Sequence, residues 1–315
     1  MSRKNHARIP KTRILLTAML GVAGIALASA HPAASVAGVK PYILVSAPRE
    51  TTARGQRDYG PIATFLTQAL HHKVVYRHPD GWLVYELWIW KDHADIYFDG
   101  PQFVAWRLHK LHQTLGPRIL QPQDWRLYTW KGSPVTTVSK AANGVSLCAP
   151  PMPNFGTLWL SSLFPNPSRQ PYYRNMHGWK RIFNGVASHD CMIGIGPRLT
   201  VHHLDPDQQR VTILKKSPHY PNQAFTISAK LPKSVRATIV RALLSPAGEK
   251  AMIRLRKRFS HGRRLVAGHA ADYESVDQSL DAQWSTVYAA SINHYLREDA
   301  QREGFAINQP THKPQ

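Results

Sequence analysis

An α/β fold in two lobes is what this sequence predicts, on three observations. Short apolar runs alternate with longer stretches whose apolar residues recur at helical spacing, the pattern of βαβ units on mostly parallel sheets flanked by helices. Two such sets are separated by a break at Gly132-Ser133-Pro134. The chain has 315 residues, enough for two lobes that each bury a core.

The N-terminus stands outside this pattern. Arg3, Lys4, Arg8, Lys11 and Arg13 precede an uncharged apolar run over 14–28, which closes in Ala28-Ser29-Ala30. A basic start, an apolar run of about 15 residues that is short for a membrane span, and a small-x-small ending make a signal-peptide profile. Cleavage is expected after Ala30, with export to the periplasm; an uncleaved anchor is the alternative. No cysteine lies near the cut, which argues against a lipid anchor.

Residues 42–47 then read as a strand, and 59–70 as a helix through Ile62, Phe65, Leu66 and Leu70. A strand is expected over 73–76 and a helix over 82–90. A third strand over 95–98 stops at Asp99-Gly100-Pro101, where a helix to about 111 begins. Residues 125–130 form an extended segment leading into the Gly132-Ser133-Pro134 break, where a hinge is placed. The second set comprises a strand over 145–148, a helix over 156–163, a Pro-rich connection, a helix over 179–186 and a strand over 192–195. A return strand over 211–215, a strand over 224–228, and helices over 233–244 and 247–257 follow. The lobes so drawn are 38–131 with 212–273, and 132–211, linked through 125–130 and 211–215. Residues 274–315 read as a helical tail with a disordered end over 308–315.

The formal charge is +21, and +16 once the five basic residues of the leader are removed. That excess is spread along the chain and attracts anions, so it fits an anionic ligand or an acidic habitat equally. Nucleic acid is not an expected partner, since no basic helix with groove-reading spacing and no nucleic-acid motif is present. The two cysteines, Cys148 and Cys191, fall in strands of one half, and in an oxidising compartment they invite a disulfide; two buried free thiols are the alternative.

Several junctions together resemble one family. They are Ala94-Asp95-Ile96-Tyr97-Phe98-Asp99-Gly100-Pro101, the opening Tyr59-Gly60-Pro61, and Cys148-Ala149-Pro150-Pro151 leading to Asn154-Phe155-Gly156-Thr157. With them stand Asp190-Cys191, Pro221-Asn222-Gln223-Ala224-Phe225 and Leu244-Ser245-Pro246-Ala247-Gly248. In order and spacing, over 41–273, the chain is similar to the phosphate/phosphonate (PhnD-like) periplasmic binding proteins of ABC transporters. The resemblance implies the type 2 periplasmic binding fold and a small ligand, anionic or zwitterionic, captured between two lobes for an ABC permease. Periplasmic sensing for a membrane signalling protein is the alternative, and an enzyme on the same scaffold a further one.

The strand-to-helix junctions at Asp99-Gly100-Pro101 and Asn154-Phe155-Gly156 point first-turn N–H groups at whatever lies beyond them. Ligands of doubly wound sheets bind at such carboxyl ends of strands. The expected ligand-binding residues are Tyr59, Tyr97, Asp99, Gln102, Asn154, Phe155 and Thr157, with Trp130 as a further aromatic. The alternative is plain N-capping by Asp99 and Asn154. The family resembled carries serine and threonine hydroxyls at its helix openings. This chain departs from it, with Gln102 and Phe103 at one opening and Thr157 the one hydroxyl at the other. Trp82, Tyr85 and Trp88 read as core.

No cofactor and no metal are expected. The pairs His71-His72 and His202-His203 lack ligand spacing, because adjacent residues diverge on helices and strands. No nucleophile elbow, phosphate loop or dinucleotide fingerprint is present. Asp99 with His189 or His203 would be the acid–base pair of the enzyme alternative. The expected protein is a non-enzymatic monomer.

Overall fold

The computed structural model describes residues 40–280 apart from Pro167, so the expected signal peptide and most of the expected tail lie outside the described residues. The first sheet is entered through β1 (Tyr42–Ser46), α1 (Thr52–Leu70), β2 (Val74–Arg77), α2 (Trp82–Trp90), β3 (Ile96–Asp99), α3 (Pro101–Lys110) and β4 (Thr114–Ile119). The second sheet is built from β5 (Trp125–Trp130), α4 (Val138–Ala141), β6 (Ser146–Ala149), α5 (Phe155–Ser162), β7 (Tyr172–Asn175), α6 (Trp179–Ala187), β8 (Ile193–Pro197), α7 (Arg198–Leu204) and β9 (Val211–Lys216). The chain then returns through β10 (Ala224–Ile227), α8 (Lys233–Leu244), α9 (Pro246–Ala251), α10 (Ile253–Phe259) and β11 (Leu265–Val266) to 3₁₀ turns over Ala270–Ser279.

The strand orders are β11-β4-β10-β3-β1-β2 and β7-β6-β8-β5-β9. The sheets are mixed rather than mostly parallel. In each, three βαβ-connected strands run parallel, β2-β1-β3 and β7-β6-β8. The strands that carry the chain between sheets enter beside them antiparallel: β10 against β3 and β4, and β5 against β8 and β9.

The crossings also differ from expectation. Residues 125–130 and 211–215, expected to link the lobes, are neighbouring strands within the second sheet, so that sheet extends past both expected lobe boundaries. The chain passes between sheets at 120–124 and 217–223, which run side by side. Gln123 and Tyr220 exchange backbone hydrogen bonds at 2.9 Å, and Asn222 Nδ2 donates to Gln121 O at 2.9 Å. The Gly132-Ser133-Pro134 break is a turn beyond β5.

Local chemistry explains the elements. Thr51 caps α1 through its hydroxyl, which starts the helix at Thr52, before the apolar periodicity begins at Tyr59. Tyr59, Ile62, Ala63 and Leu66 form its buried face. β4 was not legible because Gly116-Pro117 interrupts it, yet Gly116 is required: a methyl group there would stand 2.9 Å from Phe225 Cβ on β10. The expected helix over 247–257 is two short helices meeting at Met252.

Cys148, at the core of β6, and Cys191, just before β8, are both fully buried and joined in a disulfide, with Cα atoms 5.8 Å apart and a sequence separation of 43. Peptide mapping without reductant should recover that cross-link. Cys191→Ser should lower the unfolding free energy by about 2–4 kcal/mol in denaturant titrations, and an unchanged midpoint would contradict this account.

α2, Trp-Leu-Val-Tyr-Glu-Leu-Trp-Ile-Trp, is apolar around almost its whole circumference, the mark of a buried helix. Glu86 is buried in it, 4% exposed, with Oε2 lacking a hydrogen-bond partner, and burial pushes its carboxyl up to about 7. Between the ordinary carboxylate value of 4.5 and about 7, the folded state keeps a proton the unfolded chain gives up, so stability falls as pH rises through that window. Glu86→Gln should abolish this slope and gain on the order of 3 kcal/mol at about pH 8, with little change near pH 4. Parallel pH profiles of parent and variant in urea denaturation would refute it.

Candidate functional site

Asp99 ends β3 and Arg107 lies two turns into α3, and both side chains have no solvent exposure. The guanidinium grips the carboxylate in bidentate fashion, Nη1 to Oδ2 and Nη2 to Oδ1, each at 2.7 Å, and its Nε donates to Thr226 Oγ1 on β10 at 2.7 Å. Tyr85 of α2 donates its hydroxyl to Asp99 Oδ2, and the Tyr97 ring lies 4.4 Å beneath the guanidinium. Burial works to lower the pKa of Arg107, but the charge and hydrogen bonds of Asp99 outweigh it and hold the pKa above its ordinary value.

This network corrects the expectation for Asp99. The carboxylate is fully buried and does not cap α3, whose N-cap is Gly100 without a side-chain cap bond. It is consumed by Arg107 and Tyr85, and pairs with neither His189 nor His203. Tyr97 is likewise internal: its hydroxyl accepts from Ala94 N and donates to Trp88 O. Tyr59 is buried against Tyr76 and Phe98, and burial raises its pKa.

The remaining expected residues gather on the seam between the sheets. Gln102, in the first turn of α3, is 2% exposed, and its Nε2 donates across the seam to Pro153 O at 2.8 Å. Asn154 caps α5, accepting from Gly156 N at 2.9 Å, which is the plain capping alternative. Thr157 Oγ1 donates to Pro150 O at 2.8 Å and so braces the turn between β6 and α5. Phe155 meets Tyr220, from the crossing segment, edge to face at 4.9 Å. Trp130 stacks on His189 at the opposite end of β5, away from the seam.

Three seam residues were missed in the sequence. Trp125, the first residue of β5, lays its ring under Gly156 at the opening of α5; a methyl group at Gly156 would meet that ring at 2.8 Å. Its Nε1 is buried without a partner, as is Gln102 Oε1. Arg49, after β1, reaches the opening of α3, where any side chain at Gly100 would collide with Gln102 Oε1 and crowd Arg49 Nη2. Glycine keeps that space for the two side chains. Tyr220 completes the set. A signal existed for Arg107, the one cation inside the apolar stretch Phe103-Val104-Ala105-Trp106-Arg107-Leu108, but none marked its partner. One buried cluster runs through the seam, from Val45, Tyr85 and Phe103 to Leu127, Leu147, Phe155 and Ile195.

Two mixed sheets joined by two adjacent crossings, with helix openings from each meeting at a common seam, define a bilobal binding protein of the periplasmic type. The chain belongs to the phosphonate periplasmic substrate-binding proteins of ABC transporters, whose family model matches residues 44–273. Solved structures share the fold. A Xanthomonas citri protein bound to ATP has a TM-score of 0.61 at 11% identity, covering 76% of this chain and 97% of its own. PhnD1 from Prochlorococcus marinus, in complex with methylphosphonate, has a TM-score of 0.56 at 9% identity, covering 78% and 98%. A binding component of an ABC phosphonate transporter from Pseudomonas aeruginosa has 0.52 at 12% identity, covering 84% and 98%. No curated protein matches the chain.

Removing one member of the Asp99–Arg107 pair strands a buried charge. Asp99→Asn should therefore cost about 3–5 kcal/mol in denaturant titrations, and Asp99→Leu combined with Arg107→Met should cost less than either single change. A single variant as stable as the parent would contradict the role given to the pair.

Proposed function

We propose that this chain is the exported, ligand-capturing component of a phosphonate-type ABC importer, freed from its leader after Ala30. It acts as a monomer, closing on a small anionic or zwitterionic oxyanion without reacting with it. The reading is carried by the unmet polar atoms of the seam. Gln102 Oε1, an acceptor, and Trp125 Nε1, a donor, are buried without partners, where such groups are normally satisfied. Arg49 adds a cation at the opening of α3, beside Gln102. A small phosphonate accepts hydrogen bonds from the indole and the guanidinium, and through a P–OH or an ammonium group donates to the amide oxygen. The methylphosphonate complex of PhnD1 supports the same ligand class.

The crossings at 120–124 and 217–223 supply the hinge in this reading, since a pair of short segments absorbs the backbone rotation of closure. Thr157 is not assigned to the ligand, because its hydroxyl is committed to Pro150 O.

Native mass spectrometry of undenatured protein should reveal a bound phosphorus oxyanion, and calorimetry with methylphosphonate, inorganic phosphate and aminoalkylphosphonates should rank the class. Trp125→Phe should weaken the best ligand about ten- to a hundredfold, the loss of one hydrogen bond to a charged group, with melting temperature preserved, and Gln102→Ala should weaken it as much while also lowering the melting temperature through the lost bond to Pro153 O. Small-angle scattering should show a smaller radius of gyration with that ligand. Failure of every phosphorus oxyanion to bind, or full affinity in both variants, would refute the proposal.

A further inference from the structure

Between Lys230 and Arg264 the chain carries eleven lysines and arginines against a single acid, Glu249. Glu249 is taken up by Arg264 at 2.6 Å and Arg256 at 3.7 Å. Arg258 turns inward to Glu50 and Asp58. Two backbone hydrogen bonds bridge the junction of α9 and α10, Met252 N to Gly248 O and Arg256 N to Met252 O, so the two helices follow one another with little change of direction. Their inner face, Gly248, Met252 and Leu255, is buried. On their outer face Lys250, Ile253, Arg254 and Lys257 recur at i, i+3, i+4 and i+7, all exposed. The three cations have no ion-pair partner among the described residues, and Ile253 is 48% exposed between them.

From this arrangement we infer that the α9–α10 face is a docking surface for an anionic phospholipid membrane. The sign of the charge requires an anionic partner. An acidic protein fits less well, because protein interfaces draw on aromatic anchors and are depleted in lysine, and this stripe exposes no aromatic residue while carrying two lysines. A lipid surface needs no shape complementarity. It takes a flat basic stripe whose long stems let the charges reach headgroups while an apolar side chain enters the interface, and Ile253 among Lys250, Arg254 and Lys257 has that layout. Such binding would hold an exported protein close to a membrane permease and raise its local concentration there.

The test is co-sedimentation of the exported protein with vesicles of phosphatidylcholine alone and with phosphatidylglycerol mixed in, at low and high salt. The expected result is sedimentation that requires phosphatidylglycerol and falls with salt. The combined Lys250→Glu, Arg254→Glu and Lys257→Glu variant should lower the partition coefficient on the order of a hundredfold or more, and Ile253→Ser by roughly three- to tenfold. Any N-terminal apolar segment is common to all variants, so differences between them report this face. A glutamine set at the same three positions serves if the glutamate set fails to fold. Three results would overturn the inference: equal sedimentation of parent and triple variant, no preference for phosphatidylglycerol, or retention on polyglutamate with none on vesicles.

Discussion

A buried ion pair governs the first half of this protein. Asp99 and Arg107 join β3 to α3, and through Tyr85 and Thr226 they bind α2 and β10 to the same point. Withdrawing two charges from water is costly, and is repaid only when the geometry is close and the remaining hydrogen-bonding capacity is filled. Here the carboxylate receives three donors and the guanidinium reaches Thr226 as well as the carboxylate, which satisfies that condition. Because β10 is the strand that brings the chain back from the second sheet, the pair also registers the return crossing. Because Gly100-Pro101-Gln102 follows Asp99 directly, it sets where the first turn of α3 meets the seam.

The chemistry left for a ligand follows from that commitment. With Asp99 neutralised internally, the seam offers an amide, an indole N–H and Arg49 rather than a free carboxylate. The hydroxyl that matched the related binders, Thr157, is spent bracing the β6–α5 turn. Much of the net positive charge sits on the outer helices α8 to α10 and the loop after them, so the overall charge is a poor guide to the charge of the ligand.

The elements legible in the sequence were those with strong local periodicity. α2 and α8 have the expected bounds, and the junction Asp99-Gly100-Pro101 marks where β3 gives way to α3. β4 hid behind Gly116-Pro117, whose glycine answers to the close approach of Phe225, a neighbour more than a hundred residues away. β7 is short and largely exposed, with no alternating pattern to betray it. Residues 125–130 and 211–215 were recognisable as extended segments, but whether an extended segment links two sheets or pairs within one depends on its hydrogen-bond partners.

By itself the sequence determined the α/β class, the strand-to-helix junctions, the family resemblance and which two cysteines were available to pair. Those are properties of residue order, read through periods of two and 3.6, turn residues and motif spacing. Only the tertiary structure decided that Asp99 is paired with Arg107, that Trp125 and Arg49 reach the seam, and where the crossings lie. These are choices among partners distant in the chain. They are settled by burial and by the cost of leaving a buried charge or hydrogen-bonding group unmatched, which no local pattern encodes.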